Sequence, residues 1–173
     1  MKHFILFDNI KNLTINQLID VIKSCEKKRF EELNLIDLIY EKHSYTGVYV
    51  IFDENDIAVY VGKSSSRAIL ERIASHLDFR TGVPMNTFLR KLVIRANPEI
   101  KNIDRHELAK VHDLAFQHKL AFVEIPNWGD SKRLIPIVES ALSHSFSTKL
   151  NSRRSKQSRI LLNVPICDII SSK

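Results

Sequence analysis

Apolar side chains recur at helical spacing through the first quarter of the chain. Leu18, Ile19 and Ile22, then Leu33, Leu35, Ile36 and Ile39, predict helix across residues 13–43, with Thr14 and Gln17 placed as a capping box near its start. At Thr46 the spacing changes. Two β-rich runs, Thr46–Phe52 and Ile57–Gly62, flank Asp53, Glu54, Asn55 and Asp56 and predict a hairpin. Helical patterns return at about Ser66–Phe79, Met85–Ala96 and Arg105–His118. Leu120–Ile125 reads as a third strand stopped by Pro126. Pro136–Ser147 reads as a last helix with proline in its first turn, where a missing N–H is not felt. No repeat or low-complexity segment interrupts this order. The predicted class is α+β, a small, partly antiparallel three-stranded sheet flanked by helices. Residues 1–45 form a helical extension and residues 46–151 the core, with a helical insertion at about 84–118; residues 152–173 form a basic tail.

Composition removes several classes. Of 173 residues, 44% are hydrophobic and 27% charged, the balance of an ordinary globular protein. Cys25 and Cys167 make no disulfide framework, and without a C-x-x-C pair there is no zinc finger or ribbon. The N-terminal apolar run Phe4–Phe7 is far shorter than a signal-peptide core. No run approaches the ~20 residues that span a bilayer. The expectation is a cytoplasmic protein with no membrane contact.

The net charge of +6 is unevenly spread. Residues 1–45 carry 7 basic and 7 acidic side chains, residues 46–151 carry 14 and 12, and residues 152–173 carry 5 and 1. The excess sits in the tail, in Arg153, Arg154, Lys156 and Arg159. It suits a polyanion such as nucleic acid, although a solvated charged face has the same composition.

With Glu54 and Asn55 at the hairpin tip, Phe52 pairs with Ile57, Val50 with Val59 and Val48 with Val61, an apolar face turned to the core. The other face then sets Tyr49 opposite Tyr60, with Gly47 opposite Gly62 at the strand ends, where glycine marks a close approach. A cross-strand aromatic pair that only stabilises the hairpin, by about 0.2–1 kcal/mol, would show the same pattern. In the following helix Ile69, Ile73 and Leu77 form the buried stripe, while Arg72 and His76, four apart, lie at its margin. Lys63 and the serines 64–66 stand where a helix start would favour a phosphate. In the last helix Glu139 lies beside the apolar stripe of Val138, Ala141, Leu142 and Phe146. It needs a cation there: a metal, Arg72 or solvent.

These residues, in this order, resemble the GIY-YIG nuclease superfamily. Gly47-Val48-Tyr49 and Tyr60-Val61-Gly62 are similar to its two signatures, with valine for isoleucine in both. Arg72, Glu139 and Asn151 match its later arginine, metal-binding glutamate and asparagine, so the likeness spans about residues 46–151. Lys63 and His76 are similar to features of the small type II restriction enzymes of that superfamily. The N-terminal extension and the helical insertion lie outside the resemblance.

The resemblance implies hydrolysis of double-stranded DNA with one Mg²⁺ or Mn²⁺ per active site, held by Glu139. Arg72 would hold phosphate oxygens. Tyr49 would serve as general base, Tyr60 would orient water or phosphate, and Asn151 would brace the Glu139 region. A phenol needs about 3.4 kcal/mol to ionise at pH 7.5, so His76 is the alternative base or a relay. Arg90, Lys91 and Arg95 of the insertion, Lys63, and Arg153, Arg154 and Lys156 of the tail are the candidate DNA contacts. A homodimer would cut both strands, and a restriction role would place a DNA methyltransferase gene nearby. The alternatives are a phage, mobile-element or repair nuclease, a catalytically silent DNA-binding module, or an interaction domain whose tyrosines only pack.

Overall fold

Residues 4–34, 46–80, 86–151 and 162–171 are described in the computed structural model. The sheet is mixed. β1 (Phe4–Ile5) runs parallel to β5 (Lys119–Glu124), and β2 (Lys28–Arg29) adds a short antiparallel pairing to the same strand. β3 (Gly47–Phe52) lies antiparallel between β5 and β4 (Ala58–Ser64). The α+β expectation holds, but among the described residues the sheet has five strands rather than three. The two extra strands are dipeptides, too short for any alternation to reveal.

Both faces of the sheet are covered, which is why Val48 to Phe52 reads as an unbroken apolar run. On one face Val48, Val50, Val61 and Val123 pack with Leu18 and Ile22 of α2 (Ile15–Ser24) and with Val138, Ala141 and Leu142 of α7 (Leu134–Ser145). On the other, Tyr49, Ile51, Tyr60 and Phe122 pack with Ile69 and Ile73 of α3 (Ile69–His76) and with Phe88, Leu89 and Leu92 of α4 (Thr87–Ala96). Leu108 of α5 (Arg105–Lys110) and Ala115 of α6 (His112–Phe116) complete that layer. The ends of the chain interlock. α1 (Phe7–Ile10) leads to Lys11 and Leu13, whose carbonyls accept from Cys167 and Ile166, just before α8 (Asp168–Ser171).

The Thr14–Gln17 capping box forms, with Thr14 Oγ1 accepting from Gln17 N at 3.2 Å and Gln17 Oε1 from Thr14 N at 2.9 Å. The helix it starts ends at Ser24, however, and does not continue through residue 34. From Cys25 to Glu32 Phe30 is the only large apolar residue, and it is buried against the tyrosine face while the chain extends into β2. Residues 35–45 lie outside the described residues. The helix expected over Arg105–His118 divides at Val111, and α3 begins at Ile69 rather than Ser66.

The hairpin differs from the expected register in two ways that cancel. Its loop closes between Asp53 and Ile57, with Asp56 in the left-handed region at φ 58°, so it is one residue longer than a two-residue turn. That alone would turn every side chain of β4 to the other face. A bulge at Val59, between the Phe52–Ala58 and Ile51–Tyr60 pairs, shifts the strand once more and restores the faces. Tyr49 therefore pairs with Gly62 and Tyr60 with Ile51, yet both tyrosines share a face. Val59 now joins the tyrosine layer and Ala58 the valine layer, the reverse of expectation.

Gly47 opens β3 at φ 146°, and a Cβ there would collide with Val123 O and stand 2.7 Å from Ile125 N. Gly47→Ala is expected to destabilise the fold by at least about 1–3 kcal/mol, measured by urea unfolding. An unchanged midpoint would show that β3 and β5 can separate without loss.

Candidate active site

Tyr49 and Gly62 are direct cross-strand partners, and the ring of Tyr49 lies over the glycine. A Cβ at position 62 would strike the Tyr49 hydroxyl and stand 2.7 Å from its Cε2. Position 62 needs glycine for this reason. Tyr60 sits diagonally, its ring centroid 6.2 Å from that of Tyr49 at an interplanar angle of 34°. Tyr49 is 0% exposed and Tyr60 6%, so both phenols are buried, Tyr49 the more deeply.

α3 brings two nitrogen donors to the same phenol. Its apolar residues Ile69 and Ile73 are buried under the sheet, which places Arg72 and His76 together beside β3. Arg72 Nε donates to Tyr49 Oη at 3.2 Å, and His76 Nε2 lies 2.5 Å from the same oxygen. His76 was expected at the margin of the core; it is fully buried. Its Nδ1 accepts from Phe88 N at 3.3 Å, so the proton of the neutral ring sits on Nε2 and is donated to Tyr49. In this arrangement the imidazole is a donor rather than a base. Burial pushes its pKa down to about 3, with the charges of Arg72 and Lys91 acting the same way.

Tyr49 is held well above the ordinary phenol value, first by burial, then by the neighbouring Tyr60, while Arg72 opposes the shift and Glu139 adds to it. Tyr60 is also raised by burial, with Arg72 lowering it and Glu139 raising it. The Glu139 charge thus reaches both hydroxyls. Glu139 comes from the other side of the sheet, since α7 packs on the valine face. Its Oε2 pairs with Lys63 Nζ at 2.8 Å, with the carboxylate side chain 25% exposed. The cation it needs is neither Arg72 nor solvent alone but Lys63, two residues after Val61 on the same strand face. Among the described residues no group of three or more His, Cys, Asp or Glu side chains converges as a metal site. A single rim carboxylate already holding an ammonium group fits an ion such as Mg²⁺, which keeps most of its waters and takes few protein ligands.

Asn151 is a strut. Its Oδ1 accepts from Val61 N at 2.9 Å and its Nδ2 donates to Val61 O at 2.7 Å, so one side chain occupies both backbone groups of that residue. Its Oδ1 also accepts from Thr148 Oγ1 at 2.7 Å, and that hydroxyl lies 3.4 Å from Ser143 of α7, so Asn151 ties β4 to the end of the helix that carries Glu139. Lys91 is not a free surface cation. Its Nζ donates to Leu150 O and lies 5.5 Å above the centre of the Tyr60 ring, and burial lowers its pKa. Arg90 is exposed on α4. Arg95 lines a cleft of about 400 Å³ with Asp53, Glu54 and His118 at the hairpin tip, the far end of the sheet from Tyr49. Arg153, Arg154, Lys156 and Arg159 lie outside the described residues.

One participant carried no usable signal in the sequence, since a backbone N–H such as that of Phe88 has no sequence signature; Lys91, expected as a DNA contact of the insertion, instead lies over Tyr60. Compared with known proteins, the chain gives no significant match to any family model, curated protein or solved structure.

Between about pH 3 and 6.5 the unfolded chain binds a proton at position 76 that the native ring refuses. Stability is therefore full above pH 6.5 and falls as the pH drops toward 3, by up to about 1.4 kcal/mol per pH unit. His118, lowered mainly by burial, adds a loss of the same sign. Unfolding measured from pH 7.5 to 5 should have a shallower pH slope in His76→Gln than in the wild type. An equal slope would mean that the native ring binds its proton freely.

Proposed function

We propose that this protein is a divalent-metal-dependent endonuclease that hydrolyses phosphodiester bonds of double-stranded DNA, of restriction type. The observation that carries this reading is the buried Tyr49 oxygen, which receives hydrogen bonds from both Arg72 and His76 with a second phenol beside it. A tyrosine that only packs needs one partner for its hydroxyl. Two cationic or polarised donors aimed at one oxygen are instead suited to stabilising negative charge there.

On this reading the phenol pair removes the proton from the attacking water. Tyr60, the less deeply buried member, would orient the water, and Tyr49 behind it would take up the charge with Arg72 and His76 as donors. Ionising a phenol at pH 7.5 needs about 3.4 kcal/mol before the cost of burial, and hydrogen bonds to a charged group contribute about 1.5–3 kcal/mol each. The donors alone offset the intrinsic part. Glu139, whose charge raises both phenols, would hold the ion once Lys63 releases it. When bound, Mg²⁺ or Mn²⁺ supplies neutralisation of the scissile phosphate and the departing oxygen, and it cancels the Glu139 charge that opposes ionisation. On the same reading Arg72 would grip a phosphate oxygen, and Lys63, once freed from Glu139, would take a neighbouring one. A homodimer on a symmetric site would cut both strands, and the cognate methyltransferase would protect the host copy of that site.

Supercoiled DNA incubated with the protein and Mg²⁺ is expected to be cut to discrete fragments. Glu139→Ala, Tyr49→Phe and Tyr60→Phe should each lose at least about 100-fold in rate. The pH–rate profile should lack an imidazole limb near pH 6.5; such a limb, abolished in His76→Gln, would make His76 the base instead. Binding without cleavage would mark a silent DNA-binding module, and no affinity at low salt would overturn the reading altogether.

A further inference from the structure

We propose that Trp128 is a DNA-contacting residue that stacks on a base beside the bound phosphate; this rests on the nuclease reading above. Trp128 is the only tryptophan of the chain and is 65% exposed, unusual for the largest apolar side chain. Its place follows from the strand register. Glu124, the last residue of β5, is opposite Gly47, which is also opposite Ser64. Ile125 is then tied to Thr46 by hydrogen bonds of 2.8 and 2.9 Å. Trp128 follows three residues later, so its backbone stands within roughly 10 Å of that sheet end. Tyr49 and Gly62 lie two residues in from the same end, about 7 Å.

Pro126 is buried before the indole, Gly129 turns at φ 55° after it, and Asp130 is paired with Arg133 at 3.5 Å. Around this end of the sheet Lys63, Arg67, Lys132 and Arg133 are exposed. An exposed aromatic near exposed cations has the two elements that hold nucleic acid, a π-face for a base and charges for the backbone. A phosphate held by Arg72 would carry its neighbouring bases across this end.

The test is a titration of the full-length protein in EDTA, where no cut occurs, with a fluorescein-labelled DNA duplex. Label anisotropy reports binding while indole emission reports Trp128. The proposal expects emission to be quenched in step with anisotropy. It also expects Trp128→Ala to weaken binding about tenfold with unchanged thermal stability, and Trp128→Phe to recover most of that loss. Anisotropy that rises with unchanged emission, or Trp128→Ala binding like the wild type, overturns the proposal and leaves the nuclease reading standing. Emission that changes with protein concentration alone marks a self-association surface and also overturns it. No anisotropy change at low salt removes both.

Discussion

No water reaches the Tyr49 hydroxyl, so the protein must supply the hydrogen bonds that a buried hydroxyl requires. Much of the surrounding sequence follows from that need. Gly62 has no side chain because the ring occupies its space. Arg72 and His76 sit four apart because both must reach one oxygen from one helix. His76 in turn needs a partner for its second nitrogen, and the first turn of α4 provides it through Phe88 N. Asn86, at the start of that helix, makes no side-chain cap, so the imidazole does the capping. A helix outside the resemblance to the nuclease superfamily thereby fixes a ring at the centre of the site.

That helix serves the pair of phenols twice. Phe88 orients His76 toward Tyr49, and one turn later Lys91 lies over Tyr60 while binding the carbonyl of Leu150. Leu150 precedes Asn151, which grips Val61 between Tyr60 and Gly62. Displacement of α4 would therefore be felt at both hydroxyls, through the imidazole on one side and through β4 on the other. The insertion is part of the framework of the site.

Side-chain type and spacing made the two faces of the hairpin readable, because period-two alternation survives an even number of errors. The longer loop at Asp56 and the bulge at Val59 each shift β4 by one residue, and neither has a strong signature: aspartate stands where glycine usually marks a left-handed turn. Their sum is even, so the tyrosines stayed together while their partners changed. Arg72 and His76 were legible as helix neighbours, but their burial was not, since it depends on α4 closing over them. The Lys63–Glu139 pair joins residues 76 positions apart on the valine face of the sheet, and no local pattern encodes that. Long helices were overestimated where charged residues 25–32 interrupt the apolar spacing, because β2 gains its stability from β5, far along the chain.

The outer side of β4 has one further consequence. Strands at the margin of a sheet offer unpaired backbone groups to any passing strand. Here Leu150 donates to Val59 O at 3.1 Å and the Asn151 amide takes both groups of Val61. An asparagine side chain thus stands in for the missing neighbour, closing the ladder with two atoms. A strand approaching this edge would find the outward groups at Val59 O and Val61 already taken.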